Sequence, residues 1–186
     1  MSGDVSLQEV RSGLRSALAW RGDRTDDDQY ADVTGWWRRP ELLRSLGPAL
    51  AQLFADLRPT VVLGPESRGC LLGPLVALHL DVGFVELRKD GAPCCDSDAW
   101  LRRTTPPDYR DRHLSLGFRK NLIGGGDRVL FVDEWIETGG QAHGAHLLTR
   151  DAGATWLGAA TVVDALSSNR VRRHLNVRSL LHIREL

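Results

Sequence analysis

The chain has 186 residues, with 24 basic side chains balanced by 24 acidic ones and a pI near 7.0. That neutrality argues against nucleic acid or a membrane surface as a general partner, and the length suits one domain with a proper core. The three cysteines, Cys70, Cys94 and Cys95, show neither metal-ligand spacing nor an even disulfide framework. With no basic start leading into a long apolar run, reduced thiols and a cytoplasmic location are expected.

Val5 to Trp20 has a helical pattern, with Val10, Leu14, Ala17 and Leu18 on one side. Gly22 to Asp28 reads as a polar loop. Pro40 fits the first turn of a helix whose apolar positions run from Leu42 to Phe54, which Gly47 and Pro48 are expected to bend or divide. Thr60 to Leu63 reads as a short buried strand, Gly64 to Gly69 as a turn, Leu71 to Leu80 as a helix and Gly83 to Leu87 as the next strand. Arg88 to Arg112 has little apolar periodicity and contains Pro93, Pro106 and Pro107, which predicts a long loop of the lid type. His113 to Phe118 is expected to return as a strand, followed by a turn at Gly124–Gly126. Val129 to Val132 is an apolar run of the kind buried in parallel sheets, and Gln141 to Arg150 is a helix ending near Gly153. Ala154 to Val163 and Val177 to Ile183 supply two more strands. The alternation predicts an α/β fold with a mostly parallel, twisted sheet flanked by helices.

Two stretches carry chemistry. In Val129-Leu130-Phe131-Val132-Asp133-Glu134-Trp135-Ile136-Glu137-Thr138-Gly139-Gly140-Gln141, an apolar strand runs into two acids and then a Thr-Gly-Gly helix start. Open α/β sheets bind ligands at the carboxyl ends of their strands. A helix start offers free N–H groups to an anion, and glycine lets the anion approach the backbone. The acids suit ribose hydroxyls or a hard divalent cation. Val61-Val62-Leu63-Gly64-Pro65-Glu66-Ser67-Arg68-Gly69 repeats the strand-to-turn-to-helix logic, with Arg68 able to fork onto a phosphate. Arg102, Arg103, Arg110, Arg112, Arg119 and Lys120 add positive charge suited to an anionic ligand nearby. His143 and His146, three apart on one helix, have the spacing to share a metal but lack a third ligand in the sequence, so a solvated helix face is the favoured reading.

The acid-acid-x-x-x-Thr-Gly-Gly signature resembles that of the type I phosphoribosyltransferases. The Glu66-Ser67-Arg68-Gly69 turn and Arg88-Lys89-Asp90-Gly91 resemble the pyrophosphate loop and the start of the catalytic loop in the adenine branch. Tyr30-Ala31-Asp32-Val33-Thr34 followed by Pro40 resembles that branch's Phe-Arg-Asp-Ile-Ser hood segment, and Ser179-Leu180-Leu181 its closing hood strand. The resemblance implies a single phosphoribosyltransferase-like domain with a hood at about 1–40 and 174–186, a core at about 41–173 and a flexible catalytic loop at about 88–112. It implies Mg²⁺, a homodimer, and transfer of the phosphoribosyl group from phosphoribosyl diphosphate to a nitrogenous base, adenine first, with release of pyrophosphate. Ser67, Arg68, Arg88 and Lys89 would serve the pyrophosphate end. Asp133 and Glu134 would hold the ribose hydroxyls, directly or through Mg²⁺-bound water, and Thr138, Gly139, Gly140 and Gln141 would cradle the 5′-phosphate. Ala31, Trp135 and Ile136 would line the base site, with Glu137 the first and Asp108 the second candidate to handle the base proton.

Several residues depart from the adenine pattern. Ala31 stands where the hood has Arg, Trp135 replaces a smaller aliphatic residue, and Glu137 replaces the usual Ala, as a carboxylate does in the hypoxanthine-guanine branch. The family's Leu-Glu-Tyr loop segment has only Asp108-Tyr109 as its counterpart. These differences leave a 6-oxopurine or a modified or non-purine base as the alternative acceptor. A regulator that binds phosphoribosyl diphosphate without catalysis is the alternative of another class.

Overall fold

The computed structural model describes residues 6–22, 29–89, 99–105 and 114–186. Seven strands form the main sheet in the order β5-β6-β4-β3-β7-β8-β9. In chain order these are β3 (Val61–Pro65), β4 (Gly83–Lys89), β5 (Trp100–Thr104), β6 (Ser115–Arg119), β7 (Arg128–Ile136), β8 (Thr155–Asp164) and β9 (Val177–His182). From β4 through β9 every pairing is parallel, while β5 and β6 are added antiparallel at one edge. The fully buried strands are the continuous apolar runs, as burial of a parallel strand on both faces requires.

Helices α3 (Pro40–Gln52) and α4 (Gly69–Leu80) pack with each other on one face, and α5 (Gly140–Asp151) lies on the other. Pro40 takes the first turn of α3, but Gly47 and Pro48 do not divide the helix. Gly47 is a contact point instead, because a Cβ there would lie 2.5 Å from the Leu75 carbonyl oxygen of α4. α4 begins at Gly69, which leaves Pro74 further inside the helix than its sequence predicts. Among the described residues no helix is long and apolar enough to cross a membrane.

The N-terminal region is α1 (Leu7–Ala17), a hairpin of β1 (Ala19–Arg21) and β2 (Tyr30–Asp32), and α2 (Thr34–Arg38). Val10 and Leu14 bury the inner face of α1, and the Trp36 indole N–H donates to the Leu14 carbonyl at 3.0 Å. The Thr34 hydroxyl and amide, then Arg21, hold the Asp32 carboxyl down at about 2. Arg11 of α1 reaches the Leu180 carbonyl at 2.7 Å. The C-terminal part of the expected hood is therefore the edge strand of the main sheet, with α1 laid against it.

Several elements were absent from the sequence expectation: β1, which begins within the stretch expected to be helical to Trp20, then β2, α2, β5, α6 (Asn169–His174) and a closing turn at Ile183–Glu185. Residues 100–104, expected within a loop, form β5, which pairs with β6 and lays Leu101 against the core while its last three side chains are exposed. α6 has no buried residue and hence no apolar period; Ser168 caps it by accepting from the Val171 amide at 3.3 Å.

Candidate active site

β3 and β7 are adjacent and parallel, with Val61 level with Val129 and Leu63 level with Phe131. The turns that follow them therefore open at the same sheet edge. β7 runs through the acid pair, since Asp133 pairs with Thr161 and Trp135 with Val163. Leu130, Val132 and Trp135 pack on one core cluster, and Val129, Phe131 and Ile136 on the other. Strict two-residue alternation breaks between Val132 and Trp135, where the acids sit.

Asp133 is buried, and its Oδ1 accepts from the Glu134 amide at 2.9 Å. Burial first, and then the Glu134 carboxylate, push the Asp133 carboxyl well above the usual range, while Lys89 pulls the other way. Glu134 leans across to the neighbouring turn, its Oε1 3.3 Å from Arg68 Nη1. That turn, 66–68, contains a cis peptide between Glu66 and Ser67. The Glu66 carboxylate joins the turn to the end of β4. It accepts from the Lys89 amide at 2.8 Å and lies 3.3 Å from Arg88 Nε. That second approach, like the 3.9 Å one to Glu86, is an ion pair without hydrogen-bond alignment, so among the described residues the buried Arg88 Nε makes no hydrogen bond. Ser67, Arg68, Arg88, Lys89, Asp133 and Glu134 thus converge, with Glu66, given no role from the sequence, as the link between segments. Its signal was the acid heading the Glu66-Ser67-Arg68-Gly69 turn. Cys70 faces the same acids; burial, then Glu86, Glu66 and Asp133, push its thiol up to about 11, so it is no nucleophile near neutral pH.

On the other side of the acids, Thr138 and Gly139 lead into α5. Gly139 caps the helix in the left-handed region at φ 80°, and the Gly140 amide donates to Thr138 Oγ1 at 3.3 Å. Gln141, in the first turn of α5, has a buried Oε1 without a hydrogen-bond partner among the described residues. Gly139 is itself buried: a Cβ would meet Val171 Cγ1 at 2.9 Å and Leu166 and Leu175 methyls at 3.4 Å. The glycine is demanded by backbone conformation and by inward packing. Gly139→Val is therefore expected to lose sugar-diphosphate binding and also to lower the melting temperature. Calorimetry with thermal unfolding checks both, and unchanged values of each would contradict the assignment.

Glu137 is exposed and makes no hydrogen bond or ion pair among the described residues. Trp135 is half-buried against the first cluster, and Ile136 is buried in the second, so Ile136 contributes packing rather than an open wall. Ala31 sits on the hairpin, paired with Trp20. Asp108 lies outside the described residues, as do Cys94 and Cys95.

Asp133 and Glu134 are hard oxygen donors on one turn. The buried, undercompensated Asp133 fits a cation or a hydroxyl donor, and Mg²⁺ is commonly held by one or two carboxylates plus substrate oxygens. Among the described residues no group of three or more His, Cys, Asp or Glu side chains is arranged to hold a metal ion. His143 and His146 do gain a neighbour, His174, with ring centroids 5.7 and 5.1 Å away. Burial first, then His174 and Arg150, hold both imidazoles below their ordinary value of 6.5. The unfolded chain then binds protons that the folded one refuses, so this contribution is fully present above that value and lost as pH falls below it. The melting temperature of the parent is expected to drop more between pH 7.5 and 5.5 than that of His143→Gln/His146→Gln. Parallel curves would refute the effect.

No protein-family model matches the chain. The adenine phosphoribosyltransferase of Paracidovorax citrulli is 33% identical over 164 residues, covering 87% of this chain and 85% of the relative. That of Maricaulis maris is 36% identical over 154 residues, covering 81% and 84%. The crystal structure of the Rhodothermus marinus adenine phosphoribosyltransferase superposes with a TM-score of 0.79 at 31% identity, covering 95% of this chain and 99% of that one. The Saccharomyces cerevisiae enzyme, crystallised with an imino-altritol bisphosphate and adenine, gives 0.76 at 29% identity, covering 94% and 99%.

Proposed function

Because the chain belongs to the adenine phosphoribosyltransferase family, we propose that its paired turns catalyse transfer of the phosphoribosyl group from phosphoribosyl diphosphate to adenine, with release of pyrophosphate. The observation that carries this reading is the bridge between the turns. Arg68 of the turn after β3 meets Glu134 of the acid pair at 3.3 Å, so a pyrophosphate grip and a ribose grip share one sheet edge.

The division of labour follows from the chemistry of each segment. Ser67, Arg68, Arg88 and Lys89 receive the pyrophosphate, the two guanidinium groups being suited to forked contacts with its oxygens. Asp133 and Glu134 accept hydrogen bonds from the ribose hydroxyls. The amides at the start of α5, with Thr138 and Gln141, hold the 5′-phosphate. Mg²⁺, when bound through these carboxylates and substrate oxygens, would neutralise charge on the leaving group. Negative charge gathers on the departing diphosphate as the C1–O bond breaks, and fixed cationic donors stabilise it without reorganisation. The base nitrogen attacks C1, and Glu137, with no partner to hold it, is free to take the base proton. A remodelled acceptor pocket is the second reading, favoured by an exposed carboxylate at Glu137 beside the bulky Trp135.

Incubating the protein with phosphoribosyl diphosphate, Mg²⁺ and a panel of bases, and measuring pyrophosphate and nucleotide, tests both readings. AMP from adenine is expected. Turnover restricted to a 6-oxopurine or another base would transfer the reading to the second acceptor class, and binding without turnover with any base would make the protein a sensor. A homodimer belongs to the same proposal: α4 carries no Asp, Glu, Lys or Arg and exposes Leu71 and Leu78 one above the other on its outer face. Light scattering that gives a monomer at micromolar concentration would remove it.

A further inference from the structure

Gly139, in the left-handed region at φ 80°, is enclosed by a distant part of the chain. The side chains that close around it, Leu166, Val171 and Leu175, all come from the connection between β8 and β9. That connection is tied by one knot. Asp164, the buried last residue of β8, accepts from the Leu166 amide at 2.9 Å and from Arg172 Nε and Nη2 at 2.5 and 3.2 Å. The same guanidinium donates to the Leu166 carbonyl at 2.6 Å and to the Asn169 side-chain oxygen. All three Arg172 nitrogens are therefore used inside the connection, and the buried carboxylate has both oxygens occupied. Next to the knot, the Ala165 amide donates to the Ile136 carbonyl at 2.8 Å, fastening it to the last residue of β7. The knot is thus anchored immediately before Glu137, Thr138 and Gly139, and it sets where Leu166 and Val171 stand. A forked guanidinium–carboxylate pair fixes direction as well as distance, which a lone ammonium cannot do.

We propose that Asp164 and Arg172 are positioning residues for the 5′-phosphate: they hold Leu166 and Val171 against Gly139 and keep the α5 amides aimed at the ligand. This rests on the phosphoribosyltransferase reading of that loop. Neither residue is assigned contact with the substrate. Their effect is on the placement of backbone donors, where a shift of about 1 Å is enough to cost up to roughly 100-fold.

The test compares the parent with Arg172→Ala, Arg172→Lys and Arg170→Ala, the last an exposed neighbour on α6 without an ion pair among the described residues. Calorimetric Kd for phosphoribosyl diphosphate, kcat and KM with adenine, and melting temperature are measured on each. Arg172→Ala is expected to raise both Kd and KM for the sugar diphosphate about tenfold or more, with kcat at saturation within about threefold. Arg172→Lys should fall between it and the parent, and Arg170→Ala should match the parent. If Arg172→Ala does not fold, Arg172→Gln carries the same expectation. A lowered melting temperature with parent-level Kd would overturn the proposal and leave the knot purely structural; so would a fall in kcat at unchanged KM. A parent that binds no sugar diphosphate would instead overturn the family reaction for this chain, and this inference with it.

Discussion

Asp133→Asn combined with Glu134→Gln is expected to lower kcat/KM at least about 100-fold, a loss of about 3 kcal/mol or more in transition-state stabilisation. Removing both charges leaves the ribose hydroxyls and any bridging Mg²⁺ without a carboxylate partner. The loss should not come from unfolding. Asp133 is buried, and its carboxyl is raised above the usual range by burial and by Glu134. A carboxyl raised on folding binds its proton more tightly in the folded state, so folding is penalised increasingly as pH rises past the unfolded value of 3.8. Asparagine carries no such penalty and retains an oxygen for the Glu134 amide. Asp133→Asn alone should therefore melt higher than the parent at pH 7, and the gain should vanish towards pH 3. The Glu134–Arg68 pair is partly open to solvent and offsets little of this. Near-parent turnover in the double variant would remove the acids from the mechanism; a lower melting temperature for Asp133→Asn would show that the carboxylate is compensated in the folded protein.

Glu137→Ala is expected to lower kcat by about 10- to 1000-fold while leaving sugar-diphosphate binding nearly unchanged. A base with a proton at N7 must lose it when N9 attacks, and a nearby carboxylate can accept it. Glu137 is exposed and has no partner among the described residues, so its removal should cost within about 0.5 kcal/mol of stability. The variant therefore reads chemistry rather than folding. Activity at the parent level would end the candidacy of Glu137 and move the proton chemistry to the loop that carries Asp108.

Much of the site could be read from local pattern because the relevant signals are local. Val129 to Val132 and Val61 to Leu63 are apolar without alternation, which parallel strands buried on both faces impose. The acids and glycines that follow them stand where any strand-to-helix turn at a sheet edge must stand. The family resemblance rests on the same two turns, and relatives at 33% and 36% identity bear it out.

What the chain order could not convey is which distant segments support those turns. Glu66 joins the turn after β3 to Lys89 and Arg88, and Arg68 crosses to Glu134, because β3 has β4 on one side and β7 on the other. β5 packs Leu101 against the core and is otherwise held at the sheet edge by backbone pairing and by Arg103 on Asp151, so it shows no apolar period. α6 has no buried residue, yet its Val171 borders Gly139 and its Arg172 closes on Asp164. Apolar periodicity records how much of each side chain is removed from water, and it marked the main buried strands and the longer helices from the residues alone, though not α2 with its buried Trp36. Hydrogen bonds and a missing Cβ depend on which backbone lies opposite. That is decided only when the sheet assembles, and it is how Gly139 comes to be packed inward against α6.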